Sequence, residues 1–147
     1  MNKKFFLIII SAIILTGIAG LFFYTKPGKG SICLNNYCFQ VEIAKSPIEL
    51  ARGMMFRKNL DQNMGMLFIF EKEGNYPFWM KNTLIPLDII WINSDSKIIF
   101  ISKNNLPCKE INCPSINPNQ NAKYVLEINA GTAKEIDLKI GDSAVIK

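Results

Sequence analysis

The six residues Leu87 to Ile92, LDIIWI, constrain the fold more than any other stretch of this chain. Side chains alternate along an extended strand, so Asp88, Ile90 and Ile92 share one face, and Leu87, Ile89 and Trp91 share the other. Both faces are apolar. Such a strand belongs at the centre of a sheet that is covered on each side. It then takes the carboxylate of Asp88 into the interior, where an ionised group needs a cation or several donors. The preceding residues, FWMKNTLIP from Phe78 to Pro86, set Lys81, Asn82 and Thr83 among apolar neighbours in the same way. Burying them is costly unless each finds a partner.

The remaining strand signals are short: FQVEIA, MLFIF, KIIFIS, YVLEI and SAVIK, separated by Gly, Pro and Asn clusters. One helix is well marked. Ser46-Pro47-Ile48-Glu49 reads as a capping box with Pro at the first helical position, and the helix should end near Gly53. A weaker helical turn is expected over Ala133 to Leu138. With so little helix, the strands must bury their faces against one another. The expected fold is mainly β, a compact jelly-roll-like β-sandwich or a partly closed barrel with one or two short helices.

Residues 5–24, FFLIIISAIILTGIAGLFFY, carry no charge. As a helix they would span about 30 Å, the thickness of a bilayer's hydrocarbon core. Lys3 and Lys4 precede them, which keeps residues 1–4 in the cytoplasm and exports the rest of the chain. A cleaved signal peptide is the rival reading, with Gly17 and Ala19 at the −3 and −1 spacing. The apolar run is longer than the roughly 7–15 residues of a signal core, which favours an uncleaved single-pass anchor. Residues 25–30, TKPGKG, read as a linker, and residues 31–147 as an extracytoplasmic domain.

The formal charge of the 147-residue chain is +5, but four lysines precede Gly30. From Gly30 onward 11 Lys and 2 Arg face 12 acids, a net of +1. No basic stripe with interleaved aromatics appears, so nucleic-acid binding is not expected. The chain has no histidine, which removes Ser-His-Asp and Cys-His relays and His-based zinc sites. No cofactor and no metal is expected.

Cys33 and Cys38 enclose four residues, as do Cys108 and Cys113. An exported chain with an even cysteine count points to disulfides. SICLNNYCFQVEIA reads as a hairpin that turns at Asn35-Asn36, with Leu34 opposite Tyr37 and Cys33 opposite Cys38. Opposed residues at a non-hydrogen-bonded position stand about 4.5 Å apart, within reach of a disulfide. The second pair would cinch a loop between strands. A metal site remains the alternative for the four thiols.

ARGMMFRKNL, GMLFIF, FWMKNTLIPLDIIWI, YVLEINAG and the late GD occur in one order over roughly Val41 to Ile146. Together they resemble the family known as domain of unknown function 192. The resemblance implies a compact, mainly β fold of jelly-roll type, often behind a signal or anchor. It implies no reaction, ligand or cofactor. Cys108 and Cys113 also resemble a cysteine pair of exported members.

The polar residues of the middle segment admit two readings. In one, Asp88 takes hydrogen bonds from the Lys81-Asn82-Thr83 turn or from Arg52 or Arg57, the only arginines, and pins the loop. In the other, Arg52, Arg57, Trp79, Lys81, Asn82, Thr83, Asp88 and Glu127 line a cleft. The cations would there grip an anionic group of a small polar ligand, a polysaccharide or other envelope polymer, or a partner protein. An enzymatic variant pairs Asp88 with Glu127 for hydrolysis, which requires both carboxylates across one cleft at roughly 5–9.5 Å. A purely architectural envelope protein is the third reading. Trp79 and Trp91 read as core or pocket wall. Met54, Met55, Met64, Met66 and Met80 read as packing rather than a copper site.

Overall fold

The computed structural model describes residues 27–147. The expected anchor, residues 5–24, and the segment 1–4 lie outside them. Among the described residues no helix is long and apolar enough to cross a membrane. These residues form nine strands and two short helices: β1 (Gly28–Leu34), β2 (Tyr37–Ala44), α1 (Pro47–Arg52), β3 (Met64–Gly74), β4 (Phe78–Trp79), β5 (Leu87–Ile92), β6 (Ile98–Asn105), β7 (Ser115–Ile116), β8 (Ala122–Asn129), α2 (Thr132–Glu135) and β9 (Ala144–Ile146). β1 takes up the last three residues of the stretch read as a linker, Gly28 to Gly30, and pairs them with β2.

Seven strands form one sheet in the order β6-β5-β8-β3-β2-β1-β9, and β4 and β7 form a small separate pair. The large sheet curls into a half-barrel whose ends meet. Ile98 N–H donates to the Asp142 carbonyl at 2.9 Å, and Ala144 N–H to the Ser96 carbonyl at 2.8 Å. Of the two expected architectures, the partly closed barrel is the one that forms. The sandwich alternative is not, because β4 and β7 contribute only two residues each. The sheet also departs from an antiparallel jelly roll, since β2 and β3 run parallel. Parallel neighbours need a crossover of a dozen or more residues, and residues 45–63 supply it. That crossover contains α1 and the arginine-bearing turn after it.

β5 lies between β6 and β8, and all six of its side chains are buried. One face of the sheet packs Ile32, Val41, Leu67, Ile90, Leu126 and Ile128 against Ala133, Ile136 and Leu138 around α2. The other packs Met66, Phe68, Ile89, Trp91 and Val125 beneath Met54, Met80 and Ile85. Full burial of each large aliphatic side chain contributes about 1.5–3 kcal/mol, so a strand apolar on both faces helps hold both cores. Trp91 is wholly buried and donates its indole N–H to the Tyr76 carbonyl at 2.8 Å. Met54, Met66 and Met80 fill the second core, as expected of packing methionines.

The local signals place the turns. Ser46 accepts the Glu49 N–H, and the Glu49 carboxylate accepts the Ser46 N–H at 2.9 Å, completing the capping box. The helix stops at Gly53, whose φ of 47° suits glycine. In the β1–β2 hairpin Leu34 faces Tyr37 and Cys33 faces Cys38. Both disulfides form, with Cα atoms 4.0 Å apart for Cys33–Cys38 and 5.9 Å for Cys108–Cys113.

Candidate functional site

Asp88 is fully buried, but its partners are neither the Lys81-Asn82-Thr83 turn nor an arginine. Its carboxylate accepts the Asn104 N–H at 2.7 Å and the Ala133 N–H at 2.8 Å. It therefore joins the central strand to the end of β6 and to the first turn of α2. The reason is register. Asp88 pairs with Ile128, whereas Glu127 pairs with Ile89, so the two carboxylates emerge on opposite faces of the sheet. The expectation that Asp88 lines the cleft is corrected by this register, and the Asp88–Glu127 hydrolytic pair has no common cleft to face.

Glu127 occupies the other face, in a row that runs Glu42, Met66, Glu127, Ile89 across four strands. It is only 4 % exposed. Burial pushes its carboxyl up to about 8, against a smaller opposing pull from the Arg57 charge and a hydrogen bond from the Met54 N–H. Among the described residues its Oε2 has no hydrogen-bond partner. Glu127 is one of the residues around a cavity of about 240 Å³ whose lining also includes Arg52, Gly53 and Met54 from the crossover, Phe68 from β3, Phe78 and Trp79 from β4, then Lys81 and Thr83. A Cβ on residue 53 would lie 3.0 Å from Cζ of Phe68 and 3.7 Å from Oε2 of Glu127. Glycine at the end of α1 thus lets the turn come close above Glu127.

Five of the eight expected residues line this cavity: Arg52, Trp79, Lys81, Thr83 and Glu127. Trp79 is half-exposed, and the Lys81 ammonium lies 5.3 Å from the centre of its ring. Arg57 sits beside the cavity rather than in its wall. Its guanidinium grips the Glu42 carboxylate with both nitrogens, Nη1 to Oε1 at 2.7 Å and Nη2 to Oε2. Asn82 serves the backbone. It adopts φ of 56°, its carbonyl accepts the Phe56 N–H at 2.8 Å, and its N–H donates to the Cys108 carbonyl at 3.1 Å. Cys108 N–H in turn donates to the Met80 carbonyl at 3.2 Å. The disulfide-closed loop is thereby fastened along the segment that carries Lys81.

A second hollow of about 510 Å³ is lined by Pro27, Lys29, Gly30, Gln40, Val41, Glu42 and Met64. Its one carboxylate, Glu42, is already engaged by Arg57. Among the described residues no group of three or more His, Cys, Asp or Glu side chains is placed to hold a metal ion.

Sequence reasoning did not single out Glu42, Gly53 or Phe68. Gly53 was legible only as a helix stop, and Glu42 needed the parallel β2–β3 pairing to be seen beside Arg57.

A half-barrel sheet with a parallel crossover carrying a glycine-ended helix, and a buried acid beneath it, defines the class: a small, mainly β, disulfide-bonded domain. A family model described as "Uncharacterized ACR", DUF192, matches residues 31–146, and the chain belongs to this family. Two solved structures are similar. One is a "putative transcription regulator" from Sinorhizobium meliloti 1021, 33 % identical, covering 83 % of this chain and 96 % of that one, with a TM-score of 0.77. The other is a protein of unknown function from Novosphingobium aromaticivorans DSM 12444, 31 % identical, covering 81 % and 84 %, with a TM-score of 0.72. No curated protein matches the chain.

Proposed function

We propose that residues 31–147 form an extracytoplasmic binding domain, held at the membrane through residues 5–24, whose small-molecule site is the pocket above Glu127. One observation carries this reading. Glu127 lines a cavity while its buried Oε2 has no hydrogen-bond partner among the described residues, and an unsatisfied buried polar group of this kind costs about 1–3 kcal/mol. Such a group calls for an explanation, and use by a bound ligand is one. The cavity's 240 Å³ corresponds to about eight water volumes, which suits a small molecule better than a polymer strand or a partner's side-chain cluster. The two disulfides support the oxidising compartment that the anchor implies.

The description given to the Sinorhizobium protein has little support here. From Gly30 onward the net charge is +1, against the basic footprint that nucleic-acid binding needs. A hydrolytic reading also lacks support, because Glu127 has no second carboxylate among the residues lining the pocket.

The test is ligand-observed NMR on the detergent-solubilised full chain with a panel of small acids, amines, alcohols and sugars, repeated on Ala51→Trp. Ala51 is exposed and lines the pocket, so a bulky side chain there fills the mouth with little effect on folding. The reading expects binders in the panel that Ala51→Trp loses. A panel without binders, or binders indifferent to Ala51→Trp, would overturn it.

A further inference from the structure

Phe56 stands out in the turn after α1. It is 61 % exposed and its backbone has φ of 64°, in the left-handed region that a bulky side chain rarely enters. Exposure of the ring and strain in the backbone both cost free energy, and such strain collects where function uses it. Asparagine would take the same conformation at less cost. The surroundings fix it. The Phe56 N–H donates to the Asn82 carbonyl at 2.8 Å, and the Asn82 N–H to the Cys108 carbonyl at 3.1 Å. Two more exposed apolar side chains flank Cys108. Leu106, two residues before it, is 73 % exposed, and Ile111, inside the loop closed by Cys108–Cys113, is 88 % exposed. Lys58, Lys81 and Lys109 stand between these apolar tips, and Glu110 is the one acid in the same turns.

We propose that this face rests on an anionic lipid surface, with Phe56, Leu106 and Ile111 entering the headgroup region and Lys58, Lys81 and Lys109 meeting lipid phosphates. This rests on the reading of residues 5–24 as a membrane anchor. Two residues, Thr25 and Lys26, separate that segment from Pro27. Three residue steps reach at most about 11 Å, so such an anchor keeps the domain against the headgroups. Pro27 lies on the side of the sheet that carries Phe56. It lines the hollow with Glu42, Glu42 is gripped by Arg57, and Arg57 follows Phe56. A protein partner fits less well. The centre of a protein interface is depleted of charge, whereas each apolar tip here has a lysine within three residues. Apolar tips interspersed with cations are the pattern of interfacial membrane contact.

Ile140 offers a control. It is 65 % exposed and follows Leu138, which packs against the opposite face of the sheet. A domain resting on the Phe56 face holds Ile140 away from lipid, and a domain swinging on its tether does not. Phe56→Asn removes the ring but keeps a residue suited to left-handed backbone, so it should weaken lipid contact without weakening the fold.

The experiment is methyl NMR of the isoleucine- and leucine-labelled full chain in nanodiscs of phosphatidylcholine and phosphatidylglycerol, doped with a gadolinium-chelate lipid. The expected result is a relaxation enhancement at Ile111 and Leu106 about fivefold or more above that at Ile140. Phe56→Asn should reduce it about twofold with the unfolding midpoint unchanged or higher, and discs of phosphatidylcholine alone should reduce it too. Equal enhancement at Ile111 and Ile140 overturns the docking face while the anchor stands. A chain that does not co-elute with the discs overturns the anchor and the face together. Ile111 shifts that appear only with two chains per disc assign the face to a second copy and overturn the lipid. Enhancement indifferent to phosphatidylglycerol overturns the role of the lysines. A Phe56→Asn chain that unfolds more easily makes Phe56 a packing residue and overturns its role.

Discussion

The Asp88 carboxylate accepts the backbone N–H of Ala133 at 2.8 Å, and this bond ties the central strand to the first turn of the second helix. The other oxygen holds the Asn104 N–H at 2.7 Å. Of the two readings of Asp88, loop pin and cleft contact, the geometry is that of a pin, with backbone amides as partners in place of the expected turn or arginine. Asp88→Ala should leave both amides without partners and cost about 2–5 kcal/mol in urea unfolding. Asp88→Asn presents an NH₂ where one of the two N–H groups points, and should cost about 2 kcal/mol. The folded fraction of either variant should bind pocket probes as the natural chain does. Unchanged unfolding midpoints would show that the clamp carries no weight.

Glu127 makes stability depend on pH in an unusual direction. Its folded-state value is about 8, chiefly through burial, against 4.5 as the ordinary value. Between those two points the folded chain holds a proton that the unfolded chain has released. This group's contribution is therefore fully present below about pH 4.5, falls as pH rises, and is lost above about pH 8. Unfolding free energies measured from pH 5 to 9 should decline with pH by up to about 1.4 kcal/mol per unit from this one group. Glu127→Gln should flatten that decline and be the more stable protein at pH 8.

Arg57 acts on both acids of its neighbourhood. It is paired with Glu42 and it lowers the Glu127 carboxyl against the effect of burial. Arg57→Ala should move the Glu127 titration to higher pH. A double-mutant cycle over Arg57→Ala and Glu42→Gln should give a coupling of about 1 kcal/mol, since both side chains are partly exposed and solvent screens the pair. A coupling near zero would mean the bidentate contact is not formed in solution.

The two disulfides close short loops, Cys33 to Cys38 and Cys108 to Cys113. Replacing either pair by serine should cost roughly 2 kcal/mol in the loop-entropy model. Loss of the second should also loosen the Met80 to Asn82 segment to which Cys108 is hydrogen-bonded. Hydrogen exchange at the Asn82 N–H reads this directly. Alkylation of the native chain should label no thiols until a reductant is added.

Much of this architecture was written locally. The Ser46–Glu49 capping box, the stop at Gly53, the Asn35-Asn36 hairpin with its facing cysteines and the doubly buried LDIIWI strand each arise from a few adjacent residues. Long-range facts were not legible. Asp88 and Glu127 belong to adjacent strands, and a shift of one residue in their pairing decides which face each takes. Alternation does not assign Glu127 a face, because Val125, Leu126, Glu127 and Ile128 are all buried and so both faces of β8 are covered. The partners of Asp88 are backbone amides, which every sequence has and none advertises. Glu42 reaches Arg57 only because the 45–63 crossover returns the chain parallel to β2. β4 and β7, two residues each, carry too little pattern to be seen, yet β4 brings Phe78 and Trp79 to the pocket wall.

The central claim is that Glu127, one of the residues lining the pocket, keeps its carboxyl uncharged, and its titration can be watched directly. Carbon-13 NMR of the glutamate side chains, in the full chain selectively labelled and solubilised in detergent, isolates the Glu127 carboxyl by comparison with Glu127→Gln. The account predicts a midpoint near pH 8, moved upward by Arg57→Ala. A midpoint in the ordinary carboxylate range, about 4.5, would contradict it.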